Sequence, residues 1–333
     1  MKPKKNEMLF KKFFAAIFSF CFITFSVNAL EIKIGHVGEP GSLFNDSAEH
    51  FAKLANSKLG TKAKVVNFGS SQLGSDKEMM QKVKLGTLEM AVPSTFMSTV
   101  HDEFGVFEMP YIIKDRNHMS KVEKEVVNPI LSKNLEEKTG YKVLAVWENG
   151  FRQITNSKKP INVPDDLKGI KLRVPEGKWR VRMFQAYGAN PTPMAFGDVF
   201  VALKTGTIDG QENPYTQITS AKFHEVQKFL SVTNHVYTPA FVVVHKETWN
   251  KLPEDVRKII EQAAKDTQPF VYKRAAEMEV SLLKVVKDAG VQVNTANRDA
   301  FVKASDPIYK EFATDVKSGA TLISKILDLA KAK

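Results

Sequence analysis

Over residues 31–92 the chain alternates between segments of period two and segments of helical period, and nothing else in it limits the fold as strongly. Along 31–37, Ile32, Ile34 and His36 point one way and Glu31, Lys33 and Gly35 the other, the pattern of a strand. Ser42 is placed to cap a helix over 42–58 that turns Phe44, Ala48, Phe51, Ala52 and Ala55 to one side. A second strand is expected over 63–68. A helix capped by Ser75 or Asp76 should follow and end at Gly86, a residue suited to a left-handed cap. A third strand at 88–92 completes β-α-β-α-β, the mark of an α/β sheet with helices on its faces.

The same alternation continues. Helices are expected over 117–137, 177–187 and 199–204, and strands over 141–147, 170–174, 207–211 and 237–245. A helix beginning after Pro253 can run from 254 past 283 with only Pro269 inside it. A helix that long must straddle two lobes or kink at the proline. There is no internal repeat and no Gly/Ser-rich linker, which points to two lobes joined by crossing strands and helices. The expected division is 30–149 with 239–278 in one lobe, and 150–238 with 279–333 in the other.

The first 29 residues are set apart. Lysines dominate 1–12, residues 13–27 are apolar and uncharged, and Val27-Asn28-Ala29 offers small residues where a signal peptidase cuts. The apolar run falls short of the roughly 20 residues that span a bilayer, so a cleaved secretory signal is expected and the mature chain should be exported. The only cysteine, Cys21, lies inside that signal, which excludes a disulfide framework, a thiolate metal cluster and a cysteine nucleophile from the mature chain. The formal net charge is +11, but lysines and acids are interleaved with no Arg/aromatic stripe, so nucleic acid is not an expected partner.

Known catalytic and cofactor motifs fail one by one. Gly35-x-x-Gly38-x-x-Gly41 lacks the dinucleotide spacing, and lysines stand where its ribose-binding acid belongs. No H-E-x-x-H, G-x-S-x-G or P-loop occurs, and the seven histidines are scattered, so no metal or cofactor is expected. What remains is a set of polar residues at strand ends. Arg173 lies at the carboxyl end of the 170–174 strand, ahead of Pro175. Arg152 follows the 141–147 strand and the Asn149-Gly150 turn, and Asn213-Pro214 follows the short strand ending near Gln211. In open α/β sheets ligands bind beyond the carboxyl ends of strands, and a guanidinium there presents a fork that matches a carboxylate. A surface salt bridge is the plain alternative for each.

Several blocks then occur in a fixed order: Ser71-Gln-Leu-Gly74, Pro110-Tyr111, Asn149-Gly-Phe-Arg152-Gln, Asp166-Leu-Lys-Gly-Ile-Lys-Leu-Arg173-Val-Pro175, Gly188-Ala-Asn-Pro-Thr-Pro-Met-Ala-Phe196, Ala202-Leu-Lys-Thr-Gly206, Asp209-Gly-Gln-Glu-Asn-Pro214 and Lys222-Phe-His-Glu-Val-Gln227. They resemble the DctP-type extracytoplasmic solute receptors of tripartite ATP-independent periplasmic (TRAP) transporters, over nearly the whole mature chain. The resemblance implies a two-lobed α/β periplasmic binding protein with an interlobe cleft and a long helix spanning both lobes. It implies that Arg173 grips a substrate carboxylate, that Asn213 helps to orient it, that Arg152 is a second anion contact, and that Phe196 packs on the ligand. It also implies membrane permease subunits as partners, a periplasmic location, no catalysis and a monomer.

Two departures bear on the substrate. Sialic-acid receptors of this family carry a Glu and an Arg after the third strand, where this chain has Pro93-Ser-Thr-Phe-Met97, and an Asn after the R-V-P block, where it has Glu176. Glu176 facing inward would accept hydrogen bonds from hydroxyls or pair an amine. The expected ligand is a smaller organic acid: a sugar acid, a hydroxy acid or a C4-dicarboxylate. The alternatives are an exported α/β enzyme acting on a sugar acid, with Asp198 and Glu212 as candidate carboxylates, and a ligand receptor for a sensor kinase.

Overall fold

The computed structural model describes residues 29–331, so the expected signal segment lies, but for Ala29, outside the described residues. Two sheets carry the fold. The first has five strands, β1 (Leu30–Gly35), β2 (Ala63–Phe68), β3 (Met90–Ala91), β4 (Tyr141–Phe151) and β10 (Tyr237–His245), in the order β2-β1-β3-β10-β4. The second has six, β5 (Gln153–Asn156), β6 (Lys171–Val174), β7 (Asn190–Pro193), β8 (Gly210–Asn213), β9 (Phe229–Val232) and β11 (Gln292–Thr295), in the order β11-β9-β5-β8-β6-β7.

Each sheet is parallel except where the chain enters it from the other. β4 runs into β5 through the single residue Arg152, and β5 lies antiparallel to both its neighbours, β8 and β9. The chain returns from β9 to β10, which lies antiparallel to β3 and β4. The two crossings are tied together at Arg152, whose backbone N–H donates to Val236 O at 2.9 Å.

The local reasons follow the sequence. Ser75 caps Asp76–Leu85 with a reciprocal box, its hydroxyl accepting from Glu78 N–H while Glu78 accepts from the Ser75 N–H. Gly86 closes that helix with φ 76°, a left-handed conformation that a side chain disfavours. The helix Glu254–Asp288 runs without a break past Pro269. It packs on the helix Leu43–Leu59 and on β4 in the first lobe, and on Tyr215–Ser220 in the second, so it straddles the lobes. Trp147 Nε1 donates to Ala264 O at 3.0 Å and Gln268 Nε2 to Val146 O at 2.6 Å, which fasten it to β4.

Two expectations change. The helix expected over 117–137 is wound as a π-helix through Glu123–Leu131, around Pro129, which has no N–H to give to a regular ladder. The strand expected over 207–211 begins later, at Gly210, because the chain is still closing the turn after Val199–Lys204, with Ile208 N–H on Ala202 O. Asn213 is therefore the last residue of a strand rather than one beyond it. The helix Gly319–Leu329 packs most on Asp306–Asp315 and also meets Arg116–Val122 and Asp102–Glu108 of the first lobe.

Candidate functional site

A cavity lies between the lobes, at the carboxyl ends of β1, β3, β6, β7 and β8. The first lobe contributes Val37, Phe44, Asp76 and residues 94–96. The second contributes Arg173, Glu176, Phe196, Asn213 and Gln217, with Arg152 at the crossing. The five residues singled out from sequence, Arg173, Arg152, Asn213, Phe196 and Glu176, thus all line one cavity. Asp76, read from sequence only as a possible helix cap, joins them.

Arg173 is 3% exposed. Its Nε and Nη2 donate to one acceptor, the carbonyl of Met194, at 3.0 and 2.6 Å. Nη1 makes no hydrogen bond to the described residues, so the end-on fork of Nη1 and Nη2 is left to face the cavity. Burial, and next the positive charge of Arg152, hold the Arg173 guanidinium down to about 9, still protonated at neutral pH. An anion between the two arginines would relieve both effects.

Arg152 is held differently. Its Nε and Nη2 pair with the two carboxylate oxygens of Glu212, and Nη2 also donates to the Glu212 carbonyl at 2.6 Å. Only Nη1 is unspent among the described residues. Glu212 also accepts from Arg180 Nη1 at 2.7 Å and from His235 Nε2 at 2.9 Å. Arg180 in turn meets Glu108, with Nε donating to Oε2 at 2.9 Å. All five side chains are buried. Burial alone would raise the Glu212 carboxyl, but Arg152 and Arg180 outweigh it and hold the group far below the usual carboxylate range. His235 is pushed down to about 4, by burial first, and is neutral. Its Nε2–H then donates to Glu212 while Nδ1 accepts from the Thr233 hydroxyl at 2.8 Å.

Sequence reasoning missed this network. In the sequence Arg180 stands with Lys178 and Arg182 in one basic cluster. Lys178 and Arg182 are exposed and pair with Asp315 and Glu311, but Arg180 is fully buried behind the cavity wall. The carboxylates proposed for an enzyme are not poised for one, since Glu212 is saturated by donors and Asp198 is exposed outside the cavity.

Asn213 does not touch the Arg173 fork through any described hydrogen bond; the Met194 carbonyl orients that arginine. Asn213 is itself oriented by a directional relay. Its Nδ2 donates to Gln211 Oε1 at 2.6 Å, Gln211 Nε2 to Thr155 Oγ1 at 2.9 Å, and Thr155 Oγ1 to Gln227 Oε1 at 3.0 Å. The relay leaves Asn213 Oδ1 as the free end. Phe196 is 9% exposed and tilts against Phe223, with ring centroids 5.5 Å apart. Among the described residues no group of three or more His, Cys, Asp or Glu could hold a metal ion, and no helix is long and apolar enough to cross a membrane.

Residues 34–315 match the model of a family described as bacterial extracellular solute-binding protein, family 7, or DctP. The chain belongs to this family, the DctP-type receptors of TRAP transporters. The receptor is 33% identical to the 2,3-diketo-L-gulonate-binding periplasmic protein YiaO of Escherichia coli, over 97% of this chain and 98% of that one. It is 35% identical to the C4-dicarboxylate-binding periplasmic protein DctP of Rhodobacter capsulatus, over 89% of each. Among solved structures it resembles the sugar acid binding protein DctPAm of Advenella mimigardefordensis in complex with galactonate, at 34% identity and a TM-score of 0.86, covering 91% of this chain and 98% of that one. The fold is thus the two-lobed α/β fold of these receptors, and the protein is periplasmic as they are.

Proposed function

We propose that this receptor binds a small organic acid by a pair between the Arg173 guanidinium and the ligand's carboxylate, and delivers it to the membrane permease of a TRAP transporter. One observation carries the reading. A buried arginine is fixed on one side by a backbone carbonyl and leaves its remaining fork to the interlobe cavity. Arg152 stands beside it with Nη1 unspent, as a second anion contact. Phe196, with Val37 and Phe44 from the opposite lobe, supplies apolar surface for the carbon skeleton. The names of the relatives support the class: diketogulonate, C4-dicarboxylates and galactonate are all small acids.

Binding between the lobes couples ligand to closure, because only the closed form touches the ligand from both sides. The closed form is the one the permease would meet. The reading makes the protein a monomeric binder without turnover.

Calorimetric titration of the mature protein with sugar acids, hydroxy acids and C4-dicarboxylates tests this. Stoichiometric binding with no product is expected. Arg173→Ala should weaken the best ligand by about 2–5 kcal/mol, the range for truncating a buried charged pair. Weakening under about tenfold, or conversion of the acid, would overturn the reading.

A further inference from the structure

The two arginines account for one carboxylate, and the rest of the polar wall sets two carboxylates beside amide and hydroxyl side chains. Asp76, from the start of a first-lobe helix, and Glu176, from just beyond β6 in the second lobe, both line the cavity. Burial, first of all, raises the Asp76 carboxyl to about 7; Arg173 opposes the rise and the charge of Glu176 adds to it. Neither side chain hydrogen-bonds or ion-pairs with a described residue. Asn149, 5% exposed, donates from Nδ2 to Ser94 Oγ at 3.3 Å, which leaves Oδ1 buried in the cavity wall without a partner. Gln217, 1% exposed and also on the wall, has its Oε1 in the same state.

We propose that the receptor selects a monocarboxylate whose other carbons carry hydroxyl groups, and that Asp76 and Glu176 discriminate against dicarboxylates. The proposal rests on the reading of Arg173 as the carboxylate clamp. A hydroxyl offers a proton to a carboxylate or an amide oxygen and still accepts in return. A second ligand carboxylate only accepts. Placed against Glu176 and against Asp76, ionised at the pH 8 of the test below, it meets like charge, and it leaves Asn149 Oδ1 and Gln217 Oε1 unpaired. Closure adds to the selection. Bringing the two lobes together brings two carboxylates together, and a ligand with donors between them favours the closed form where a diacid opposes it.

The test is titration calorimetry at pH 8 with two acids of four carbons, D-erythronate and succinate, and with the six-carbon galactonate. D-Erythronate should bind at least about 100-fold more tightly than succinate, as expected when a polar site meets an analogue lacking the donors. The double variant Asp76→Asn/Glu176→Gln should weaken the hydroxy acid and bring the ratio to within about tenfold. Equal or tighter succinate binding by the wild type overturns the inference without need of any variant. So does a ratio that the double variant, shown by its melting curve to be folded, leaves unmoved. Arg173→Ala separates the two readings. If it abolishes binding of both acids while their ratio in the wild type is near one, the clamp stands and the selectivity falls. If it changes nothing, or if no acid of the set binds, the clamp reading and this inference fall together.

Discussion

Glu212 holds Arg152 by two points, Oε2 accepting from Nε at 2.5 Å and Oε1 from Nη2 at 2.9 Å, and the same Oε2 takes Arg180 and His235. A carboxylate so engaged is a support for the arginines behind the cavity. It also neutralises charge that would otherwise leave three guanidinium groups, on Arg152, Arg173 and Arg180, facing one another across a buried space.

Glu212→Gln removes that charge and leaves the arginines in place. Breaking a buried pair by removing one partner costs about 3–5 kcal/mol, so the variant should lose that much in urea-unfolding free energy. Acid binding should weaken with it as Arg152 loosens. A variant of unchanged stability would show that the pair does not hold the second lobe together, and one that is stable but has lost a turnover would revive the enzyme.

Arg173→Lys keeps the charge and loses the geometry. A single ammonium cannot hold the Met194 carbonyl on one side and present two parallel N–H groups on the other. Carboxylate affinity should fall by roughly tenfold or more, with the melting temperature little changed. A lysine variant that binds as tightly as the wild type would reduce the role of Arg173 to point charge alone.

The sequence made one class of residue legible and hid another. Arg173, Arg152 and Asn213 could be read because strand ends are where α/β sheets open to ligands, and because these residues sit beside turn and proline signals. Arg180, Glu108 and His235 could not: Arg180 comes from the helix Lys178–Ala186 and His235 from the stretch between β9 and β10, and only the tertiary fold brings both to Glu212, while Glu108, in Asp102–Glu108, joins through Arg180. β8 itself, Gly210-Gln-Glu-Asn213, is buried at every position while carrying no apolar residue, so hydropathy gives no sign of a core strand. β7, with the sequence Asn-Pro-Thr-Pro, is hidden for another reason: it is an edge strand, where prolines are tolerated. Asp76 was visible as a helix start, but its place in the cavity depends on how the lobes meet.

His36 sets a pH dependence. Gly38 N–H donates to its Nδ1 at 3.1 Å and its Nε2 meets Asn67 Oδ1 at 2.9 Å, so the neutral ring with hydrogen on Nε2 satisfies both. Burial, first of all, lowers its pKa from 6.5 to about 4. The unfolded chain therefore binds the proton more readily between those values, and stability falls as pH drops through that window. The limit is on the order of 3 kcal/mol by pH 4. The difference in unfolding free energy between wild type and His36→Asn, followed from pH 7 to pH 4, isolates the effect. A difference that stays flat with pH would show that the ring is charged in the native state.

Gly105 is required where the two lobes touch beside the cavity. It lies in Asp102–Glu108, and a Cβ there would overlap the Trp179 ring and come within 2.9 Å of Phe312 Cε2. Trp179 cannot easily yield: it is 3% exposed and packs edge-on against Phe312, with centroids 5.0 Å apart. It sits at the start of the helix Lys178–Ala186, directly after the strand and turn that carry Arg173 and Glu176. Gly105→Ala should therefore destabilise the protein by about 1–3 kcal/mol, the usual range for overpacking. Because the strain is relieved when the helix moves off, the variant should also favour the open form. It should weaken ligand binding with Arg173 intact and enlarge the ligand-free radius of gyration in small-angle X-ray scattering. An alanine variant with unchanged unfolding midpoint and affinity would mean that the indole swings aside and that this contact does not set the lobe arrangement.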